Sequence, residues 1–297
     1  MFKENRIENK IEGSKEEESQ EEYTSKVSLE FFRHDEKSKA EPGQPDEEVK
    51  LTEKGRKHAR SLSETKDISQ AVAFGSQFRR ARETAAQIMA GESRELTGNE
   101  TLEEAKKIID AELKYGTKVG TDPRLGFMID TETQYGKDAL AAFKKGEWMT
   151  FLTEKSDDLA KETADKNSST YSRMAAGVAG IVDKYLTVAP RFDSLVEKKG
   201  YEKELKRFFG SHQGVLESFL GKLIEKTKGK EDLKKFVSAV KNQGFDYAEG
   251  FKMDIEMQNG EPRLKVFYKK NEENPFEFNE EIDPSIIKDI IKEGSEK

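Results

Sequence analysis

The chain has 297 residues, with 52 Lys+Arg against 59 Asp+Glu and a formal net charge of −7. That mild acidity argues against a surface built to neutralise a nucleic-acid backbone, and no apolar run reaches the roughly 18 residues of a membrane span. Cysteine is absent, which excludes disulfides, a thiol nucleophile and a thiolate metal site; imidazole chemistry must come from His34, His58 or His212.

Residues 1–25 contain KEEESQEE and few large apolar side chains. They read as a charged, disordered tail that cannot bury enough surface to offset its ordering entropy. The first ten residues have no apolar stretch after their charges, so they are not expected to be a signal peptide and a cytoplasmic location is expected. From Lys26, KVSLEFF alternates apolar and polar residues as a strand does, and it runs directly into Arg33-His34-Asp35-Glu36. KSKAEPGQPDE is a loop. Thr52 can cap a helix reaching Leu62, AVAFGS (71–76) is a short strand, and RRARETAAQIMA (79–90) is a helix. Helical stripes follow at Ala105, Ile108, Ile109 and Leu113, at Phe143, Trp148, Phe151 and Leu152, and at Met174, Val178, Ile181, Val182 and Tyr185. The last stripe is expected to end before Pro190. LKRFFGS (205–211) is a strand, VLESFLGKLIEK (215–226) a helix, and FKMDIEMQNGEPRLKVFYKK a hairpin turning at Asn259-Gly260.

This order predicts an α/β three-layer sandwich with a mostly parallel central sheet. One domain is expected over 26–285, with a helical cap insertion at about 100–195 and a C-terminal tail at 286–297. His34 and His212 each follow an apolar strand, and Arg79, Arg80 and Arg82 open the helix after another. If those strands are sheet neighbours, two imidazoles, guanidiniums and helix N-termini meet at one carboxyl edge. Such a cluster suits a phosphoryl group.

These residues resemble the histidine phosphatase (phosphoglycerate mutase-like) superfamily. Arg33-His34 with Glu36 stands where its Arg-His-Gly-Glu motif would, LTEKGRKHA is similar to its Leu-Thr-x-x-Gly-x-x-x-Ala helix, SQFRRARETA to its second arginine block, and GSHQGVL to its second-histidine block. The matching covers 27–90 and 205–224. The resemblance implies a metal-independent phosphomonoester hydrolase without cofactor. His34 would be the nucleophile forming a phosphohistidine, Arg33, Arg80 and His212 would hold the phosphoryl oxygens, and a carboxylic acid would protonate the leaving oxygen.

The sequence departs from that pattern at Asp35, which replaces the motif glycine, and at Gln213. In Asp122-Pro123-Arg124-Leu125-Gly126-Phe127 the family's acid position is Phe127, which leaves Asp130 or Glu132 as the nearest candidate general acids. Asp35 is expected to point away from the phosphate or to pair with a cation. His58 reads as a surface residue, and Trp148 and Phe151 as core of the insertion. The alternative to catalysis is a phosphate-ligand binding or scaffold protein on the same fold, with a mutase-type phosphotransferase a further member of the enzyme class. The expected partner is a phosphorylated small molecule or phosphoprotein, not nucleic acid or membrane.

Overall fold

The computed structural model describes residues 23–68, 71–91, 96–110, 119–271 and 274–296. In chain order these form β1 (Ser25–Arg33), α1 (Glu53–Ser61), β2 (Val72–Gly75), α2 (Arg79–Ala90), α3 (Leu102–Asp110), β3 (Val119–Thr121), α4 (Gln134–Lys145), α5 (Trp148–Phe151), α6 (Asp157–Glu162) and α7 (Tyr171–Lys199). There follow β4 (Glu204–Ser211), α8 (Val215–Lys228), α9 (Lys230–Ala239), β5 (Gly250–Gln258), β6 (Glu261–Lys270), β7 (Phe276–Ile282) and α10 (Pro284–Glu296).

The seven strands make one sheet in the order β3-β2-β4-β1-β5-β6-β7. Ladders among β1 to β4 are parallel, and those from β1 through β7 on the other side are antiparallel. Five strands thus share one direction, and only β5 and β7 oppose it. The period of two decides which face each side chain covers. Phe31 and Phe209 join the core under α7 to α10, while Phe32 and Phe208 join the smaller core under α1 to α3. Helices therefore cover both faces of the parallel half. The far face of the antiparallel half carries ion pairs such as Lys252–Asp254 and Lys265–Glu256. Asn259 and Gly260 both have positive φ, the backbone a tight two-residue hairpin demands.

Several elements differ from the sequence expectation. Helix α7 runs through Pro190. The proline removes one backbone donor, but Ala189 and Phe192 beside it are buried in the larger core, and that packing carries the helix onward. The C-terminal segment is not a tail: α10 buries Ile287 and Ile290. The segment expected as a helical insertion also supplies the edge strand β3. Strand β7 and helix α9 complete the domain without having been anticipated. The tail expected at 1–25 lies outside the described residues except at its end, where Ser25 opens β1, and Leu113 likewise lies outside them. Among the described residues no helix is long and apolar enough to cross a membrane.

Candidate active site

Strand register builds the site. Arg33 at the end of β1 is paired with Ser211 at the end of β4, so the next residues, His34 and His212, leave the sheet side by side. The His34 amide extends the ladder by donating to the Ser211 carbonyl at 2.8 Å. The imidazole centroids lie 5.2 Å apart with the rings edge-on. On the other side of β4, Gly75 pairs with Gly210, which brings Ser76 to His212. Gly75 is required there, because a Cβ would sit 2.5 Å from the Arg82 backbone. That close approach lets the first turn of α2 swing Arg80 over the strand ends.

His34 is held in one tautomer. Its Nδ1 donates to the Asp35 carbonyl at 2.8 Å, while Arg80 Nε donates to Nε2 at 3.2 Å. A nitrogen that accepts carries no proton, so Nε2 is the unprotonated ring nitrogen, with its lone pair on Arg80. Burial, reinforced by Arg80 and Arg33 against the Asp35 hydrogen bond, pushes the imidazole down to about 3. His34 is therefore neutral at physiological pH. His212 is also buried and shifted well below its ordinary value, first by desolvation and then by His34 and Arg80. Its Nε2 lies 2.6 Å from Ser76 Oγ, whose oxygen already accepts from the Phe78 amide. With the Ser76 hydroxyl assigned as donor to His212 Nε2, the His212 proton sits on Nδ1, which is buried and unpartnered. Arg33 Nε is likewise buried without a partner, while its Nη1 donates to the Phe245 carbonyl.

Of the three arginines opening α2, the fold selects Arg80, which is 2% exposed. Arg79 instead donates to the Gly98 carbonyl. Arg80 also binds one residue twice: Nη1 donates to the Asp46 carbonyl at 2.7 Å and Nη2 to its carboxylate at 2.9 Å. Lys37 contacts the other Asp46 oxygen at 3.1 Å. Burial raises the Asp46 carboxyl's proton affinity, but Arg80 and Lys37 outweigh it and hold the group below its usual value.

Asp35 points away from the phosphate side. Its Oδ2 accepts from His58 Nδ1 at 2.6 Å, Oδ1 from the Glu36 amide, and its own amide donates to Thr84. His58 is half-exposed, as expected of a surface residue, but it is also the partner of the substituted motif position.

The sequence candidates for a general acid do not reach the cavity. Its wall on that loop is made by Phe127, Met128, Ile129 and Thr131. Asp130 and Glu132 are exposed and absent from that lining. Asp130 turns its carboxylate back on the Glu132 amide, an Asx turn its position before α4 favours. Phe127 stacks on Phe78 at 5.1 Å and meets His212 edge-on at 5.1 Å. The carboxylates that do line the cavity are Asp46 and Glu47, from the Pro-Gly loop that sequence reasoning left unassigned. Trp148 is buried as expected of core, yet it also lines the cavity.

Glu217 was missed as well. Glu217 on α8 is fully buried, accepts from the Gly214 and Phe245 amides, and is pushed up to about 7 by desolvation. It ties the second-histidine loop to the 244–245 turn, whose Phe245 carbonyl holds Arg33. Glu three residues after a glycine at a helix start is its sequence signal.

A model of the histidine phosphatase superfamily (branch 1) matches residues 29–108. Among solved structures the chain is similar to a mycobacterial glucosyl-3-phosphoglycerate phosphatase (16% identity, 81% of this chain and 97% of that one, TM-score 0.47). It is similar also to phosphoglycerate mutase from Bacillus anthracis (17%, 90% and 97%, 0.46) and to a putative phosphohistidine phosphatase from Agrobacterium tumefaciens (11%, 79% and 93%, 0.33). Among curated proteins none matches.

Proposed function

We propose that the chain, whose residues 29–108 match the histidine phosphatase superfamily model, is a phosphomonoester hydrolase working through a phosphohistidine on His34. One observation carries the proposal: a buried, neutral imidazole whose Nδ1 is anchored on the Asp35 carbonyl and whose Nε2 lone pair faces Arg80 at 3.2 Å. In the first step Nε2 attacks phosphorus, the ester P–O bond breaks, and its electron pair leaves on the alcohol oxygen. In the second, water attacks phosphorus, the N–P bond breaks, and Nε2 regains its lone pair as phosphate and a proton are released. Arg33, Arg80 and the Nδ1–H of His212 support the charge on the equatorial oxygens.

Rapid quench with labelled phosphomonoester, followed by adduct mapping, tests this. The wild type should give an acid-labile, base-stable adduct on His34, and His34→Ala none. His212→Ala should keep the adduct but form it about a hundredfold more slowly, as for loss of one charge-stabilising donor. An adduct on His212 would reverse the roles. Phe127 in the wall and Asp46 on Arg80 are the observations that favour the second reading, a non-catalytic phosphate binder. That reading holds if no adduct forms while phosphate still binds.

A further inference from the structure

The cavity around His34 has a volume of about 520 Å³ and two chemically distinct ends. The inner end is the anion site. The outer wall is apolar: the Phe78–Phe127 stack continues into Met128, Leu140, Phe143 and Trp148. Of the six large hydrophobic side chains exposed among the described residues, four line this one cavity: Met128, Leu140, Phe143 and Tyr247. Exposed apolar side chains gathered at one mouth mark a ligand surface, because scattered placement is the ordinary outcome. Several walls are rings set for stacking or edge contact, with Trp148 and Phe143 perpendicular at 5.9 Å and Tyr247 lying over Arg33 at 4.6 Å. A hydroxyl-rich or carboxylate-bearing leaving group would face those rings with its polar atoms unsatisfied. A carboxylate would also meet the acidic rim formed by Asp46 and Glu47.

An independent observation concerns the leaving oxygen. The side chain that meets His212 from the loop before α4 is Phe127, which cannot give a proton. Asp46 is kept ionised between Arg80 and Lys37, and Glu47 is exposed at the rim. A leaving group that departs without a proton must be a weak base. A phenol ionises near pH 10, about six decades more readily than an alcohol resembling water at 15.7.

We infer that the substrate is an aryl phosphate, a phosphate monoester of a phenolic hydroxyl, whose ring packs on the Phe127–Trp148 wall and whose oxygen leaves as phenolate. The inference rests on the hydrolase reading for its chemistry but not for its binding. The P–O bond breaks with its electron pair on the phenolate oxygen, which takes its proton from solvent. The ring source is either a small phenolic ester or a phosphotyrosine side chain, since both present the same group.

The test uses the full chain with phenyl phosphate, ring-substituted phenyl phosphates, benzyl phosphate, glycerol 3-phosphate and a phosphotyrosine peptide. Phenyl phosphate should exceed benzyl phosphate in kcat/KM by about a hundredfold or more, because the rings match and only the leaving oxygen differs. Rates across the substituted series should fall steeply as the phenol becomes more basic. Faster turnover of the peptide than of phenyl phosphate would assign the ring to a protein, and the reverse order to a small molecule. Phe143→Ala, at a half-exposed position that can be changed without unfolding, should raise KM for phenyl phosphate several-fold while leaving inhibition by inorganic phosphate unchanged. Equal rates for phenyl and benzyl phosphate, or a shallow series that steepens in Glu47→Gln, would overturn the inference by revealing a proton donor. If no ester turns over, the hydrolase reading fails separately, and affinity decides the rest. Phenylphosphonate should then bind about tenfold or more tighter than methylphosphonate through ring burial, and equal affinities would overturn the aryl assignment.

Discussion

Asp46 sets a carboxylate on Arg80 at the wall of the cavity a phosphate would enter, so Asp46→Asn should strengthen anion binding. Asp46 is 47% side-chain exposed, which places its ion pair with Arg80 in the range of about 0.2–1 kcal/mol found for solvated pairs. Asparagine keeps an oxygen for Nη2 and loses the charge. An arriving phosphoryl dianion about 5 Å from the Asp46 carboxylate would be opposed by roughly 332 × 2/(80 × 5), or about 1.7 kcal/mol, even at the dielectric of water. Removing that repulsion, less some loss of Arg80 alignment, leaves a net gain of about 1 kcal/mol. Vanadate or inorganic phosphate should then bind about fivefold tighter. Competition against phenyl phosphate hydrolysis measures it at low ionic strength, and direct calorimetry measures it without turnover. Raising the salt from about 0.01 to 0.5 M should shrink the difference, since charge–charge terms are screened over a few ångströms there. Unchanged or weaker binding in Asp46→Asn would refute the reasoning. Asp46 would then be an aligner of Arg80 that stays in place when the anion arrives.

Three further outcomes follow from the same geometry. Because His34 is held near 3, the acid limb of kcat/KM should fall near the ester's second ionisation at about 6, and a phosphonate inhibitor's affinity should follow its own ionisation; a limb that moves in Ser76→Ala but not with the ester would assign it to His212. Glu217 has its proton affinity raised from 4.5 to about 7 in the folded chain, so its contribution is fully present below pH 4.5 and is lost as pH rises through 7. At about 1.4 kcal/mol per tenfold change in proton affinity, urea melts should show wild type losing roughly 2–3 kcal/mol relative to Glu217→Gln between pH 5 and 8, and a constant difference would contradict this. His58→Ala strips the buried Asp35 carboxylate of its side-chain donor and should cost about 1–3 kcal/mol; His58→Ala combined with Asp35→Gly should recover most of that loss, and a simple sum of the two single effects would show that the pair is not coupled.

The parts of this site visible in the sequence are those fixed by strand ends. Val27, Leu29 and Phe31 alternate strictly, so β1 and the place where it stops are both apparent, and His34 follows immediately. The same holds for His212 after β4. Two in-register parallel strands then convert a distance of 178 positions into neighbouring rings, since Arg33 lies opposite Ser211. Arg80 was singled out by the resemblance alone; the physical reason that it, and not Arg79, turns inward is the helix phase, which the close approach of α2 to Gly75 sets. Strand β3 has three residues, too few for a period to show. Helix α10 carries Ile286, Ile287, Ile290 and Ile291 at helical spacing, a stripe whose partner, α7, only the fold supplies.

The rim resisted for a different reason. Asp46 and Glu47 lie in a loop of prolines, glycine and charges whose local preferences fix turns but not where the turns dock. Asp46 reaches Arg80 in a loop that the isolated bridge from Lys37 to Leu51 closes. The acid sought from sequence spacing at Asp130 or Glu132 fails on the same ground. Asp130 satisfies its carboxylate locally at the Glu132 amide, so neither residue is drawn inward, and Phe127 takes the place beside His212. Once that place is apolar, the question shifts from which acid protonates the leaving oxygen to which oxygen can leave without one. The ring-lined mouth and the apolar Phe127 beside His212 thus constrain the same bond from opposite ends. A carboxylate introduced by Phe127→Glu should favour benzyl over phenyl phosphate relative to wild type, because a proton donor helps the more basic oxygen more. A variant that slowed both esters equally would mean that Phe127 serves only to pack.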